Sequence, residues 1–571
     1  VYRKNDEKAI LLCEERRGRC MEELVPCGVK RISVDSPLTN PFMIDFYRSD
    51  HFINLLYEYN PFVEKSYFER VKYIDKRENL LHRQKLVEVL RSYHTPELLH
   101  PAVEENLNRL SQPGSLVVIG GQQAGLLTGP LYTISKAIAL IQMAKQKEKQ
   151  LKRPVIPVFW IAGEDHDLDE VDHIWVRNGQ MKPQKHRFPV EKRGKHPISS
   201  LRLTPEELHS WLDQLSLILP DRIHKQVWLD RWKHLITEPI SWSRYFARLL
   251  HDLFGKWGLL LIDSADPKLR QLEVPMFERL LNQAEEINQQ VMEAAKQLEQ
   301  YGHVPVDMDE HRGNLFIHLD GERCLLYLHN GVWYLKEPKR SFTLEQLLTY
   351  LRKDPAQFSN NVLTRPLMQE YLFPTLAFVG GPGEVAYWGL LKEAFRIVDL
   401  QMPIVYPRPN LTIVDPLIQK RMSQFDLTWD DLFADLTAQK EKWLDSQTKV
   451  DFAHLFAHFK KQVAQLYQPL AKTLEEEIGM DLPNMTKKNQ QKVEEQIDFL
   501  ERYTHRQLEV KYETTLRRWN ELIDTISPRG RMQERVYNLL TIWNEHGISW
   551  LDQLLNEEFI DRKNNMQLII M

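Results

Sequence analysis

Short, wholly apolar runs closed by tight turns recur along this chain, with stretches of helical period between them. Leu116-Val117-Val118-Ile119 ends in Gly120-Gly121, and a helical pattern follows from Leu131 to Lys149. Pro154 to Ala162 ends at Gly163, Leu259 to Ile262 ends at Asp263, and Leu376 to Val379 ends in Gly380-Gly381-Pro382-Gly383. Ile404-Val405-Tyr406 is a fifth run. Runs this short and continuous read as strands buried on both faces, and glycine marks the turns after them. Helical text occupies 241–254, 272–301 and 384–398, so strand and helix alternate. Alternation of this kind predicts an α/β fold, a Rossmann-like and mostly parallel sheet with helices on both faces.

Two stretches interrupt the alternation. Residues 173–240 are polar and irregular. Residues 303–355 carry short alternating segments with Asn330-Gly331 as a hairpin signal. Beyond 416 no further strand is predicted. Phe452, Phe456, Phe459, Val463, Leu466, Leu470, Leu474 and Ile478 recur at helical steps, and Val493, Ile497, Leu500, Leu508, Tyr512, Leu516, Trp519, Ile523 and Ile526 form a second seam. Two long helices joined near Asp481-Leu482-Pro483-Asn484 predict an antiparallel coiled-coil hairpin, or equally a compact bundle. The expected division is an N-terminal helical region 21–114, core segments 115–172, 241–302 and 356–415, insertions 173–240 and 303–355 (the second β-rich), a coiled coil 416–545 and a tail 546–571. Residues 1–20 are highly charged and lead into Met21; Arg16-Arg17 is encodable as the purine run that positions bacterial ribosomes. They read as an upstream extension outside the native protein.

Composition limits the partners. Lys+Arg 75 against Asp+Glu 79 gives a formal net charge of −4, without the basic excess that neutralises a phosphate backbone, so nucleic acid is not expected. Cys13, Cys20, Cys27 and Cys324 form no Cys-x-x-Cys or Cys/His cluster, which argues against zinc and against a disulfide framework. Cys324, in an apolar alternating segment, reads as a buried structural thiol. The apolar runs are half the roughly 20 residues a membrane span requires. A cytoplasmic protein without a membrane anchor is the expectation.

In an open α/β sheet, ligands bind beyond the carboxyl ends of the strands. The first such end here is Gly120-Gly121-Gln122-Gln123-Ala124-Gly125-Leu126-Leu127-Thr128-Gly129-Pro130, with Tyr132, Thr133 and Lys136 downstream. It is neither a Walker A loop nor a GxGxxG fingerprint. The second is Glu164-Asp165-His166-Asp167-Leu168-Asp169-Glu170, whose carboxylates suit an amine or a hard cation such as Mg²⁺ and whose His166 suits a general base or phosphate contact. The third is Gly381-Pro382-Gly383-Glu384, followed by Tyr387 and Trp388. Glu384 either complements the helix dipole or grips an amine. Upstream, Asn361, Thr364 and Arg365 place an amide, a hydroxyl and a guanidinium together, a set suited to carboxylate or phosphate. Lys420-Arg421-Met422-Ser423-Gln424 faintly matches the KMSKS loop of class I aminoacyl-tRNA synthetases, but no HIGH tetrapeptide is present and the match reads as coincidence.

The segments Val118–Thr133, Phe159–Glu170 and Phe358–Gln369, with Gly381-Pro382-Gly383-Glu384 and Tyr387-Trp388-Gly389, resemble the bacillithiol biosynthesis cysteine-adding enzymes, the BshC family. The resemblance runs from about Met21 to the end of the sequence and is weakest in the insertions and coiled coil. It implies a cytoplasmic bacterial enzyme with a Rossmann-like core related to nucleotidyltransferases and class I synthetases, two connecting insertions and a coiled coil used in homodimer formation. It also implies the last step of bacillithiol synthesis, condensation of L-cysteine with the amine of glucosaminyl-malate, and an adenine nucleotide (ATP or ADP). A carboxylate and an ammonium do not condense appreciably in water, so the cysteine carboxylate must be activated, as an adenylate or acyl phosphate, and the amine deprotonated. The expected catalytic set is His166, Asp165, Asp167 and Glu384, with His166 preferred as base. Gln122, Gln123, Asn361, Thr364, Arg365 and Tyr387 are expected at substrate, and Gly121, Gly125, Thr128, Gly129 and Thr133 at the nucleotide. Other readings are a non-catalytic nucleotide-binding scaffold and an adenylyl- or nucleotidyltransferase acting on a small acid.

Overall fold

The computed structural model describes residues 30–571 apart from 36–39, 78–79, 95, 191–193, 304–305, 307, 480–481 and 559–564. The expectation for residues 1–20, and with it Cys13, Cys20 and Cys27, lies outside the described residues. Five parallel strands form the central sheet: β1 (Leu116–Gln122), β2 (Val155–Ile161), β3 (Leu260–Asp263), β4 (Thr375–Gly380) and β5 (Ile404–Pro407), in the order β5-β4-β1-β2-β3. Apart from Gln122 at the end of β1, every residue in them is buried, which is why the runs carry no polar alternation. From β1 the chain proceeds outward to β2 and β3, and then returns to the other side of β1 for β4 and β5. Strand order therefore reverses between β1 and β4, the position at whose carboxyl ends open α/β sheets take their ligands.

Helix α1 (Tyr132–Leu151) leaves the turn after β1 and packs on β1 and β2. α2 (Pro267–Asn282) follows β3, α3 (Arg365–Leu372) precedes β4, and α4 (Pro382–Trp388) follows it. Two helices expected to be continuous are broken. The 272–301 pattern divides at Gln283, whose amide donates to Ile397 O at 2.9 Å and ties the joint to the sheet's flank. The 384–398 pattern divides after Trp388, where Gly389 fits closely under the Tyr57 hydroxyl.

The first insertion is more regular than its polarity suggested. It contains an antiparallel pair, His173–Arg177 with Pro183–Arg187, and helices Pro205–Ile218 and Lys225–His234. Apolar Leu208, Trp211, Trp228 and Trp232 bury the inner faces of those helices. The second insertion is an antiparallel sheet of Arg312–Leu319, Glu322–His329, Val332–Leu335 and Arg340–Phe342, and Phe358–Asn360 adds a fifth strand to it. This short strand carries the insertion's sheet to the threshold of α3.

Strands do not end at 416 as expected. Asn565–Ile570 lies between Lys30–Asp35 and Asn410–Val414, antiparallel to the first and parallel to the second. The signal missed in the sequence was Met566-Gln567-Leu568-Ile569-Ile570, a short apolar run whose partners are remote in sequence. Helices α5 (Phe452–Glu477) and α6 (Leu482–Lys511) form the antiparallel hairpin, joined across it by Lys460 to Asp498 and Glu501. Phe456, Ile497 and Leu508 are buried, whereas Phe459, Leu466, Leu470 and Ile478 face outward. The seam therefore packs only in part within the chain. The Lys420–Gln424 segment sits inside a helix, Pro416–Phe425, with Arg421 bonded to Glu521.

Candidate active site

At the switch point, the ends of β1 and β4 are joined by a buried ion pair. Lys136, one turn into α1 and 1% exposed, donates through Nζ to Glu384 Oε2 at 2.5 Å, Gly121 O at 2.5 Å and Gln122 Oε1 at 3.1 Å. Its three ammonium protons are thus all engaged. Burial lowers the Lys136 pKa, and Glu384 opposes that shift. Glu384 Oε2 also accepts from Gly381 N at 2.8 Å, which fixes the turn into α4. The carboxylate expected to serve either the dipole or an amine is held by a lysine and a backbone amide, with its side chain 21% exposed.

Arg365 begins α3 and is half-buried, its guanidinium bonded to the Tyr387 hydroxyl. Burial works against its charge, but Tyr387, Glu384 and Glu164 together raise its pKa. Burial pushes the Tyr387 hydroxyl up to about 12. Asn361 and Thr364 are engaged within the protein. Asn361 Nδ2 donates to Asn314 Oδ1 at 2.9 Å, its Oδ1 accepts from Leu363 N and Thr364 N, and the Thr364 hydroxyl donates to Asn314 O at 2.8 Å. These two residues hold the turn that aims Arg365, a physical reason to assign them to the scaffold.

After β2, Gln123 Nε2 donates to Asp165 Oδ2 at 2.7 Å, and Asp165 Oδ1 accepts from His166 N at 2.7 Å. Desolvation opposes ionisation of Asp165, but Gln123, Arg323 and His166 outweigh it and lower its pKa. Burial, followed by the Arg323 charge, lowers the His166 pKa below its ordinary value. Arg323 Nη1 lies 3.2 Å from His166 Nδ1. The expected base reading of His166 meets an obstacle here, because the ring nitrogen facing Arg323 can only accept. Asp167 is exposed. Glu170, also exposed, has its pKa raised by desolvation despite a hydrogen bond from Gln123. Behind this loop Glu164 is bonded to buried Arg270, and Gly163 leaves room for Asp263, whose carboxylate lies only 2.2 Å from where a Cβ would stand.

The glycines are explained first by close packing. A Cβ on Gly121 would lie 2.5 Å from Trp160 O, and one on Gly125 would lie 2.8 Å from the Gly129 Cα. Gly125 N and Gly129 N donate within the turn, to Gln123 O and Leu126 O. Thr128 and Thr133 are buried and their hydroxyls have no hydrogen-bond partner among the described residues. The turn is clamped from the C-terminal region: Asn538 Nδ2 donates to Leu127 O at 2.7 Å and Gly129 O at 2.6 Å. Arg408, after β5, reaches the same region through two bonds to Glu534, 2.8 and 2.9 Å.

A cavity of about 890 Å³ opens beside this turn, lined among others by Gln123, Tyr132 and Glu170 and by the basic Lys185, Arg531 and Arg535. Gln122 Nε2 lies 3.5 Å from the Tyr132 hydroxyl, linking the cavity to the Lys136 pair. Its size lies in the range of small-molecule sites, its basic residues fit phosphate oxygens, and Glu170 fits an ammonium, while Asp169 is already bonded to Arg187 at 3.1 Å. Elsewhere Asp415, Glu545 and His546 come together, but Arg177 already bonds both carboxylates at 3.1 and 2.9 Å. Arg323 and the Arg531–Arg535 wall carry no signal in the sequence that marks them as site residues, whereas Lys136 stands just downstream of the glycine turn among its hydrogen-bonding groups.

A parallel sheet with its polar groups gathered at the switch point defines a Rossmann-like, small-molecule enzyme. Family models agree over nearly the whole described chain. "Bacillithiol biosynthesis BshC, N-terminal Rossmann-like domain" matches residues 29–409, and "Bacillithiol biosynthesis BshC, C-terminal coiled-coil domain" matches 411–571. Among similar proteins, one from Bacillus cytotoxicus is 36% identical over 93% of this chain and 98% of its own length. One from Lysinibacillus sphaericus is 34% identical over 95% of this chain and 100% of its own length, and one from Bacillus cereus strain B4264 is 37% identical over 85% and 90%. All three bear the name "Putative cysteine ligase BshC". The chain belongs to the BshC family of bacillithiol biosynthesis and is a ligase-type enzyme. No described helix is long and apolar enough to cross a membrane.

Proposed function

We propose that this enzyme condenses L-cysteine with the amine of glucosaminyl-malate, completing bacillithiol, through an activated cysteine carboxylate. The observation that carries the reading is the meeting of the Lys136–Glu384 pair, Arg365, Gln123–Asp165 and His166 at the ends of adjacent strands, beside a cavity lined in part by basic residues. An adenine nucleotide held by Lys185, Arg531 and Arg535 would supply the leaving group. Arg365 suits the malate or cysteine carboxylate. Lys136 and Gly381 both use Glu384 Oε2, which leaves Oε1 to receive an ammonium. Glu170, with its raised pKa, takes the proton from the attacking amine.

Gly121, Gly125, Gly129, Thr128 and Thr133 shape the turn that the nucleotide approaches, with Gly129 reaching the cavity wall. The outward apolar residues of α5 and α6 support a homodimer formed through the coiled coil.

Purified protein supplied with cysteine, glucosaminyl-malate and ATP tests the reading. Amide product by mass spectrometry is the expected result, and phosphorus NMR shows whether phosphate or pyrophosphate accompanies it. Nucleotide binding with no amide would favour a scaffold, and pyrophosphate release without the sugar would favour an adenylyltransferase.

A further inference from the structure

His166 is the one imidazole in the acidic loop after β2, and the atom facing its Nδ1 comes from a different part of the fold. Arg323 lies on the strand Glu322–His329 of the second insertion, 5% exposed. Its guanidinium is held on three sides: Nε donates to Ser359 Oγ at 3.0 Å, Nη2 donates to Asn360 O at 2.6 Å, and the Phe316 ring lies 3.8 Å from its central carbon. The remaining arm, Nη1, points at His166 Nδ1, 3.2 Å away. Ser359 is in turn contacted by His318 Nε2 at 3.1 Å, and burial keeps that imidazole down at about 4, hence neutral.

A guanidinium has five donors and no acceptor. The His166 nitrogen facing it must therefore offer a lone pair, and in the neutral ring the single proton sits on Nε2. Protonating Nδ1 would set two N–H groups against each other inside a partly enclosed site. The other charged groups facing the ring do not reverse this. Asp165 Oδ1 is 3.8 Å from Nδ1 and is already engaged by the His166 amide, Asp167 is exposed, and Lys195 adds further positive charge.

We propose that Arg323 is a positioning residue that holds His166 as the neutral Nε2–H tautomer, so that His166 serves as a hydrogen-bond donor to oxygen rather than as the base. This deepens the reaction proposed above and rests on it. The amine nitrogen attacks the activated carbonyl carbon, the carbon–oxygen bond to the leaving group breaks, and the amine proton passes to a carboxylate. His166 keeps its own proton throughout and directs it at the oxygen on which negative charge grows. The second insertion thereby contributes to the chemistry through one side chain, in addition to any role in covering substrate.

Nitrogen-15 NMR of the full chain labelled at histidine, with His166 assigned by difference from His166→Ala, reads the tautomer directly. The expected wild-type signals are a protonated Nε2 and an unprotonated Nδ1 at pH 7. Arg323→Met should let His166 titrate at higher pH and mix its tautomers, and lower kcat by about tenfold or more with KM for cysteine little changed. Arg323→Lys, which retains a donor, should restore part of both. A wild-type ring protonated at Nδ1, or an Arg323→Met ring with unchanged tautomer and titration, would overturn the proposal. The wild-type spectrum decides the first point even if the variant folds poorly. Undiminished turnover by His166→Ala would instead remove His166 from the reaction and count against the site reading, whatever the tautomer.

Discussion

Lys136 shows how one side chain can organise two strand ends. It satisfies a carbonyl of β1, a glutamine amide and a carboxylate of α4, and its own charge is tolerated in the interior only because those partners are there. Lys136→Met should leave Glu384 facing an apolar stem and lower stability by about 3 kcal/mol, the usual cost of breaking a buried pair, as read by urea unfolding. A second residue gives a pH signature. Burial pushes Asp263 up to about 6. The folded state binds that proton more tightly than the unfolded chain does, whose carboxyl titrates at about 3.9. The residue's contribution is full below the unfolded value and is lost as pH rises through 6. Thermal midpoints measured from pH 4 to 7 should fall through that window in the wild type, and the fall should be smaller in Asp263→Asn.

Between elements, the most telling joint is Asn538 beneath the glycine turn. It supplies both donors for two buried carbonyls, so Asn538→Ala should cost about 2 kcal/mol or more and loosen the turn that carries Gln122 and Gln123. A lowered melting temperature together with a raised KM for nucleotide is the expected pair of readings. The same joint marks where sequence reasoning loses its grip. The five core strands were legible because burial on both faces leaves uninterrupted apolar text, and the glycines because packing against Trp160 O or the neighbouring backbone excludes any Cβ. Gln122, Arg365 and Glu384 could be singled out for their chemistry. Their pairings could not, since Lys136 reaches Gln122 and Glu384 from α1, just as Arg323 reaches His166 and Asn538 reaches the Leu127 and Gly129 carbonyls from other elements, and the terminal strand Asn565–Ile570 finds its neighbours far away in the sequence. Helix breaks at Gln283 and after Trp388 come from tertiary contacts that leave the periodicity intact.

For the molecule as a whole, the hairpin of α5 and α6 leaves Phe459 53%, Leu466 72% and Ile478 70% exposed, more apolar surface than a lone arm in water favours. Sedimentation of the wild type should therefore report a dimer, and Leu466→Lys combined with Leu470→Glu should shift it to monomer with the melting of the core unchanged. The boundary between the two matched segments falls at 409–411, directly beside Arg408. Yet Arg408 and the Leu127 and Gly129 carbonyls all have their partners, Glu534 and Asn538, on the far side of it. The seam drawn by sequence is not a fracture plane in the matter. An engineer who transplants the first segment onto a foreign helical arm would deliver a guanidinium without its counter-charge and a turn without its floor, so such chimeras should work only when the stretch around 533–538 travels with the core.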